Sequence, residues 1–480
     1  YTVSQFAYVI LRFFLFGVVV LIWISIVANS DQTINKLPWL IVLALEPFVG
    51  LALFLSFGRS FRRSERYRGL PLLVPKQYLT KEPVTDMNRQ GYMDIDSEIT
   101  DIFKAGFNST GHHPYLNDTK VEVLTNGSEK FPRLIEELHK AEKFILMQYY
   151  IMRTDNIGKA ILSILREKAK EGVEVFLLYD AFGGTFLNKR FMNKLKDSGV
   201  KVIVNDPVYF GFFNTRINYR NHRKVTVIDG KVGFLGGLNL ADEYNLGRFN
   251  DYGFFRDTHL VVEGNAVRSL TQLFFRDVYY NTDEFVSDTK YYPTHRVQSK
   301  GLVQILPSGP EFKHPPIRNV YVKMINNAKQ SIKIMTPYIA LDRELLTSLV
   351  IAAKSGVVVD IIIPGIPDKK SIYTVTNSFV EDLLEVGIRV YKYTPGFCHA
   401  KLLIIDDMMA SCGTYNLDNR SAKINFEVTA LLYLQGVDKL IQDFKNDIVE
   451  STEINYETWC KRGMIKRIYE GLLNLFSPLV

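Results

Sequence analysis

Cysteine is scarce in this chain: there are three in 480 residues, Cys398, Cys412 and Cys460. Three thiols make no set of spaced pairs, which excludes a disulfide framework. With only eight histidines, no Cys/His cluster has zinc spacing either. A reducing compartment is the simpler expectation. Strong charge is also missing. A formal net charge of +7 is modest for this length. It fits an anionic partner without choosing among nucleic acid, lipid headgroup and phosphorylated substrate. No array of basic and aromatic residues suited to stacking bases runs along the chain, so a nucleic-acid partner is not expected.

What is abundant is apolar. Hydrophobic residues make up 47% and aromatics 13%, enough for a large core. Much of the surplus lies in the first sixty residues. Phe6–Val27 is apolar except for Arg12 and Ser25, and Leu37–Phe57 is a second such run containing Glu46 and Pro47. Each is long enough to cross a hydrocarbon core of about 30 Å as a helix. The short polar piece between them makes the pair read as a transmembrane hairpin over residues 1–59, with a cleaved leader as the lesser alternative. Arg59, Arg62, Arg63, Arg66 and Arg68 follow directly. By the positive-inside rule that side, and the body beyond it, faces the cytoplasm, giving a multi-pass protein of the cell membrane. Arg12 lies near a span end and can snorkel; Glu46 lies deeper, where a carboxyl is costly.

After a polar stretch, residues 60–130, read as a cytoplasmic linker and entry segment, the chain alternates strand-like and helix-like segments twice. Lys143–Ile151 is a buried-strand pattern, Ile157–Glu171 a helical one stopped at Gly172, and Val173–Asp180 a second strand. The same order returns as Ser331–Ile339, a helix stopped at Gly356, and Val357–Pro364. This is an α/β fold built by tandem duplication, one half at 131–300 and the other at 301–480.

Each half then carries one motif. NHRKVTVIDG begins at Asn221 and CHAKLLIIDD at Cys398, so His222, Lys224 and Asp229 are repeated as His399, Lys401 and Asp406. Each copy is followed at the same spacing by Gly and Asn: Gly236 and Asn239 in GGLN, Gly413 and Asn416 in GTYN. Residues two apart on a strand share a face, so His and Lys project together, and a hairpin would return each Asn beside them. The apolar residues within the motif have drifted between the copies, whereas His, Lys and Asn have not. If the halves face each other, two ammoniums and two carboxamides form a cage for a tetrahedral phosphate. One imidazole can attack phosphorus to give a phosphohistidine, and the other can protonate the departing alkoxide. No metal or other cofactor is needed. Each imidazole needs its second nitrogen held by a carboxylate. Asp257, downstream of His222, and Glu427, downstream of His399, are the candidates. Asp229 and Asp406 complete the motif and are carried in the catalytic set, although their place at turns reads as structural.

These residues resemble the phospholipase D superfamily, whose signature is a duplicated HKD motif, and within it the bacterial cardiolipin synthases. The likeness is carried most specifically by Arg216–Tyr244 and Phe397–Glu427, and extends to FRDTHLVVEG and the amino-terminal hydrophobic pair. It implies two phospholipase D-like α/β sandwich halves in a pseudo-twofold pair. It also implies transfer of a phosphatidyl group from one phosphatidylglycerol to another, releasing glycerol, with His222 as nucleophile and His399 as acid and base. The residues alone leave that order open. Two departures are slight: Cys398 adjoins His399, and Phe255 stands where Trp is expected before Arg256-Asp257.

Around the motifs, Arg216, Arg220 and Arg420 are candidates for a second headgroup clamp, with surface ion pairs as the plain alternative. Val208–Asn214 sets four aromatics before the first motif, suited to the membrane interface or to a core strand. The C-terminal KRGMIKRIYEGLLNLFSPLV has the pattern of an amphipathic helix, fit for an anionic membrane or for capping the second half. Two readings compete with phosphatidyl transfer. One is a membrane-tethered hydrolase or nuclease of the same fold; the other is a non-catalytic anionic-lipid scaffold, which would need none of the paired His, Lys and Asn.

Overall fold

The computed structural model describes residues 3–28, 33–57, 95–185, 187–206, 219–245, 253–475 and 477. The duplication sets the architecture. One seven-stranded sheet runs, edge to edge, Thr119–Thr125, Thr258–Gly264, Val232–Gly236, Val225–Ile228, Phe144–Tyr149, Glu174–Asp180, Lys201–Asn205. The second runs Pro114–Leu116, Leu302–Ser308, Glu427–Tyr433, Met409–Gly413, Leu402–Ile405, Ser331–Met335, Val358–Pro364, Arg389–Tyr393, Ser451–Glu453. Without its two edge strands, the second repeats the order of the first. In each, three strands joined through helices pair in parallel, and the motif hairpin pairs antiparallel against them.

Local sequence explains the repetition. Helix Asn156–Lys170 is capped by Asp155, which accepts from the Gly158 N–H at 3.0 Å, and helix Arg343–Lys354 by Asp342, which accepts from Leu345 at 3.0 Å. Both helices are followed by a glycine at φ +93, Gly172 and Gly356, a conformation that a Cβ would strain.

The two sheets pack through one shared core. Phe144, Leu146, Phe176 and Leu178 of the first half meet Val303, Ile305, Leu402 and Ile404 of the second, with Phe274 from helix Val267–Thr282 and Phe444 from helix Val437–Val449. The alternate residues point outward: Ile145, Met147 and Leu177 pack under the first half's helices, and Ile361, Leu403 and Ile405 under the second's. Strands buried on both faces need side chains that are apolar throughout, and these are.

Two expectations change. The 60–130 segment is not a linker throughout. Helix Ser97–Thr110 inserts Ile102 and Phe103 into the second half's core, and Thr119–Thr125 is an edge strand of the first sheet. The second apolar run is not one span. It forms two helices, Thr33–Leu45 and Pro47–Phe57, folded back on each other so that Trp39 meets Phe54 at 5.4 Å. Pro47 supplies no N–H at the break, and Gly50 lets the backbones close, since a Cβ there would lie 2.9 Å from the Leu43 Cα. Among the described residues one helix, Tyr8–Ala28, is long and apolar enough to cross a membrane. The arginine cluster behind the orientation argument, Arg59 to Arg68, lies outside the described residues.

Candidate active site

Each motif histidine precedes its strand, at the seam between the halves, and its backbone is bound by the other half. The His222 N–H donates to the Phe426 carbonyl at 3.0 Å, and the His399 N–H to the Arg256 carbonyl at 2.7 Å. Beside the second contact, Gly396–Cys398 pairs in parallel with Phe254–Arg256. The two copies are therefore clasped reciprocally.

The side chains repeat the exchange. His222 Nδ1 lies 3.0 Å from both carboxylate oxygens of Glu427. His399 Nδ1 lies 2.6 Å from Asp257 Oδ2. Sequence order suggested Asp257 for His222 and Glu427 for His399; the fold crosses them. Glu427 opens strand Glu427–Tyr433 and Asp257 immediately precedes strand Thr258–Gly264, both at the seam, so the nearest imidazole is the opposite half's. An Nδ1–H donated to a carboxylate leaves Nε2 unprotonated and facing the site.

Lys224 and Lys401 are buried, and each ammonium donates to the carbonyl of the histidine two residues before it, Lys224 at 2.6 Å. Burial lowers the pKa of both lysines, and each depresses the other half's imidazole. His222 is lowered to about 4, first by desolvation, and His399 to about 3 for the same reason. At neutral pH both rings are neutral, and the two lysines and two imidazoles share one electrostatic neighbourhood. Aromatic edges fix the rings: Tyr150 lies 5.1 Å from His222, and Phe255, at the expected Trp position, 5.9 Å from His399.

The remaining predicted residues divide. Asn239 accepts from the Ile151 N–H at 3.0 Å and donates to the Tyr244 hydroxyl at 2.6 Å, so its amide is committed to the fold. Asn416 is buried with its side-chain oxygen unpartnered, which suits a polar ligand. Asp229 and Asp406 do not belong to the catalytic set by position. Asp229 accepts the N–H groups of Glu142, Lys143 and Phe144, and Asp406 those of Lys329, Gln330 and Ser331. Each clamps the start of the adjacent strand. Arg220 is buried against Asp180 at 3.2 Å. The neighbouring Arg420 has its pKa lowered, chiefly by burial and in part by Arg220. Arg216 and the Val208–Asn214 aromatics lie outside the described residues.

Comparison with known proteins now bears on this geometry. A family model described as cardiolipin synthase, PLD-like domain, matches residues 134–261 and again 321–448. The chain belongs to the cardiolipin synthase family. The cardiolipin synthase of Geobacillus sp. (strain WCH70) is 39% identical over 465 residues, covering 96% of this chain and 92% of that one. The major cardiolipin synthase ClsA of Bacillus subtilis (strain 168) is 38% identical over 478 residues, covering 98% of both. Among solved structures, phosphatidylserine synthase of Haemophilus influenzae Rd KW20 aligns with a TM-score of 0.59 at 17% identity, covering 79% of this chain and all of that one. That likeness shows the fold alone.

Two residues of this cardiolipin synthase-family site escaped the sequence reading. Arg223, fully buried, donates to the Glu427 carbonyl at 3.0 Å and pairs with Asp277 and Glu311. Arg256 donates to the Asp257 carbonyl at 2.8 Å and pairs with Asp447 at 2.8 Å. Each arginine thus fixes the backbone of an orienting carboxylate. Arg223 had a signal: it sits inside the motif where the second copy has Ala400. Arg256 sits beside Asp257 and had none that separates it from a surface arginine.

Proposed function

We propose that the chain is a phosphatidyltransferase that makes cardiolipin from two molecules of phosphatidylglycerol. The observation that carries the reading is the pair of crossed His–carboxylate contacts, which leave two Nε2 atoms for one phosphate flanked by Lys224 and Lys401.

His222 Nε2 attacks phosphorus, and the P–O bond to the donor's headgroup glycerol breaks. His399 gives its proton to the departing oxygen, releasing glycerol and leaving a phosphatidyl-His222 intermediate. Neutral His399 then takes the proton from the terminal hydroxyl of a second phosphatidylglycerol. That oxygen attacks phosphorus, the P–N bond breaks, and cardiolipin leaves. In the free site His399 is neutral because it is desolvated and repelled by the lysines. A phosphodiester between the ammoniums offsets that repulsion, so substrate binding itself raises the imidazole toward the acid form. Asn416 has an unpartnered polar atom to offer the phosphate, and in this reading Arg420, with Arg220 beside it, supplies positive charge for the second anionic headgroup. The duplicated machinery also favours an enzyme over a scaffold.

Helix Tyr8–Ala28 is proposed to hold the enzyme in the cell membrane, with the folded-back second run as an apolar companion rather than a second pass. The arginine-rich stretch after it supports a cytoplasmic body. The test is product analysis after purified protein meets phosphatidylglycerol vesicles in EDTA. Cardiolipin with glycerol in equal amounts is expected. Phosphatidic acid alone would recast the protein as a hydrolase, and oligonucleotide cleavage without lipid turnover would overturn the substrate.

A further inference from the structure

The last helix, Met464–Asn474, is packed onto the body by one face only. Glu470 is buried and bonds Arg462 at 3.1 Å, Arg462 also reaches Glu381 at 3.2 Å, and Arg467 reaches Glu381 at 2.9 Å. Leu473 packs against the second half's core. The opposite face is apolar and open. Met464 is 77% exposed, Ile465 85%, Ile468 53%, Tyr469 55%, Leu472 56% and Leu475 72%. Positions 464, 465, 468, 469, 472 and 475 form one continuous helical stripe. A soluble surface would carry polar side chains at such spacing, and a stripe of this kind marks an interaction face.

Two observations identify what it meets. The first is charge. Lys461 and Lys466 are exposed beside the stripe, whereas the helix's acid, Glu470, is turned inward and neutralised. An apolar stripe edged by cations complements an anionic lipid surface, with the alkyl groups below the headgroups and the ammoniums among the phosphates. The second is position. Just past Leu475, the Ser477 carbonyl accepts from Asn419 Nδ2 at 3.2 Å, and Asn419 is buried between Asp418 and Arg420 on the short helix that follows the second motif. The stripe is therefore tied directly to the rim of the catalytic seam.

We propose that helix Met464–Asn474 lies flat in an anionic membrane surface and sets the mouth of the catalytic seam against the lipid headgroups. This rests on the phosphatidyltransferase reading for its purpose, though its test does not depend on turnover. The full chain, carrying Cys460→Ser and Ile468→Cys labelled with an environment-sensitive fluorophore, is reconstituted into vesicles of phosphatidylglycerol in phosphatidylcholine, or of phosphatidylcholine alone. The buried Cys398 and Cys412 are shielded from the label. Emission should shift to the blue and be quenched by doxyl-labelled lipid in the anionic vesicles, and less so in phosphatidylcholine. Solvent-like emission in both overturns the proposal. So does a blue shift that doxyl lipid does not quench, since a second copy or another protein would then cover the face. Equal quenching in both vesicles overturns the anionic requirement. As a second readout, Ile465→Glu with Ile468→Glu should raise the apparent KM for vesicle phosphatidylglycerol about tenfold, from the lost apolar burial, while kcat in detergent micelles stays unchanged. An unchanged KM would overturn it.

Discussion

The two halves carry the same residues on the same strands, yet the shells behind their orienting carboxylates differ. Glu427 accepts from the Thr414 hydroxyl, from Ser421 at 3.0 Å and from the Asn425 amide at 3.3 Å, besides its contact with His222. Asp257 has its own neighbour's N–H, Thr258 at 2.7 Å, and little else beside His399. The reason is visible in GGLN against GTYN. Gly237 stands where the second half has Thr414, and a Cβ there would lie 2.0 Å from Asp257 Oδ1. The first half gives up a hydroxyl so that its carboxylate can pack close. Glu427 is held as a rigid anion, its pKa lowered by the nearby His222 and Lys224 against the effect of burial. A firmly held anion suits the histidine proposed to become an imidazolium-like phosphohistidine. A barer carboxylate suits the one proposed to pass a proton twice. Duplication supplied two equal sites, and the shells made them unequal.

The largest effect should come from the histidines themselves. His222→Ala is expected to abolish any covalent phosphatidyl-enzyme and to cut turnover by at least about a thousandfold. His399→Ala should lose transfer as severely, yet still form the adduct with a phosphodiester bearing a nitrophenol leaving group, which needs no protonation. Trapping the adduct on His399 instead would reverse the assignment. Next come the carboxylates, on the order of a hundredfold. Because the contacts cross, Glu427→Gln should behave like a weakened His222 and gain nothing from the nitrophenol substrate, whereas Asp257→Asn should be partly rescued. The opposite pattern would mean that each carboxylate serves its own half. A smaller loss, about tenfold, is expected for Thr414→Gly, which removes one buried hydrogen bond to Glu427. Copying the second half into the first with Gly237→Thr should push Asp257 off its position and cost more than Thr414→Gly. Comparison of kcat for the two variants checks this.

The mildest effect concerns acid stability. His222 is held near 4 in the folded protein against about 6.5 when unfolded. Between those values the unfolded chain binds the extra proton, so stability is fully present above about pH 6.5 and falls as pH drops toward 4. Urea midpoints at pH 7.5 and 5 should show that drop, and it should shrink in His222→Gln.

The duplicated α/β order, the helix stops and both motifs were legible because each is local. Periodicity, a Gly after a helix and a fixed His–Lys spacing act within a few residues of chain. The fold-back at Pro47 was less legible. A proline in an apolar run is compatible with a kinked span, and only the packing of Trp39 on Phe54 with Gly50 against Leu43 closes the hairpin. The reach of the first half back to Thr119, and the service of Ser97–Thr110 to the second half's core, were hidden in a stretch polar enough to read as linker.

By itself the sequence determined that two copies of one unit exist and singled out the two His–Lys pairs that the fold brings to the seam, since residue type and short-range spacing suffice for that. Tertiary structure alone decided which carboxylate holds which imidazole. Both pairings use the same residues, and the choice belongs to contacts such as His222 with Glu427 that close only when two sheets far apart in the chain meet face to face.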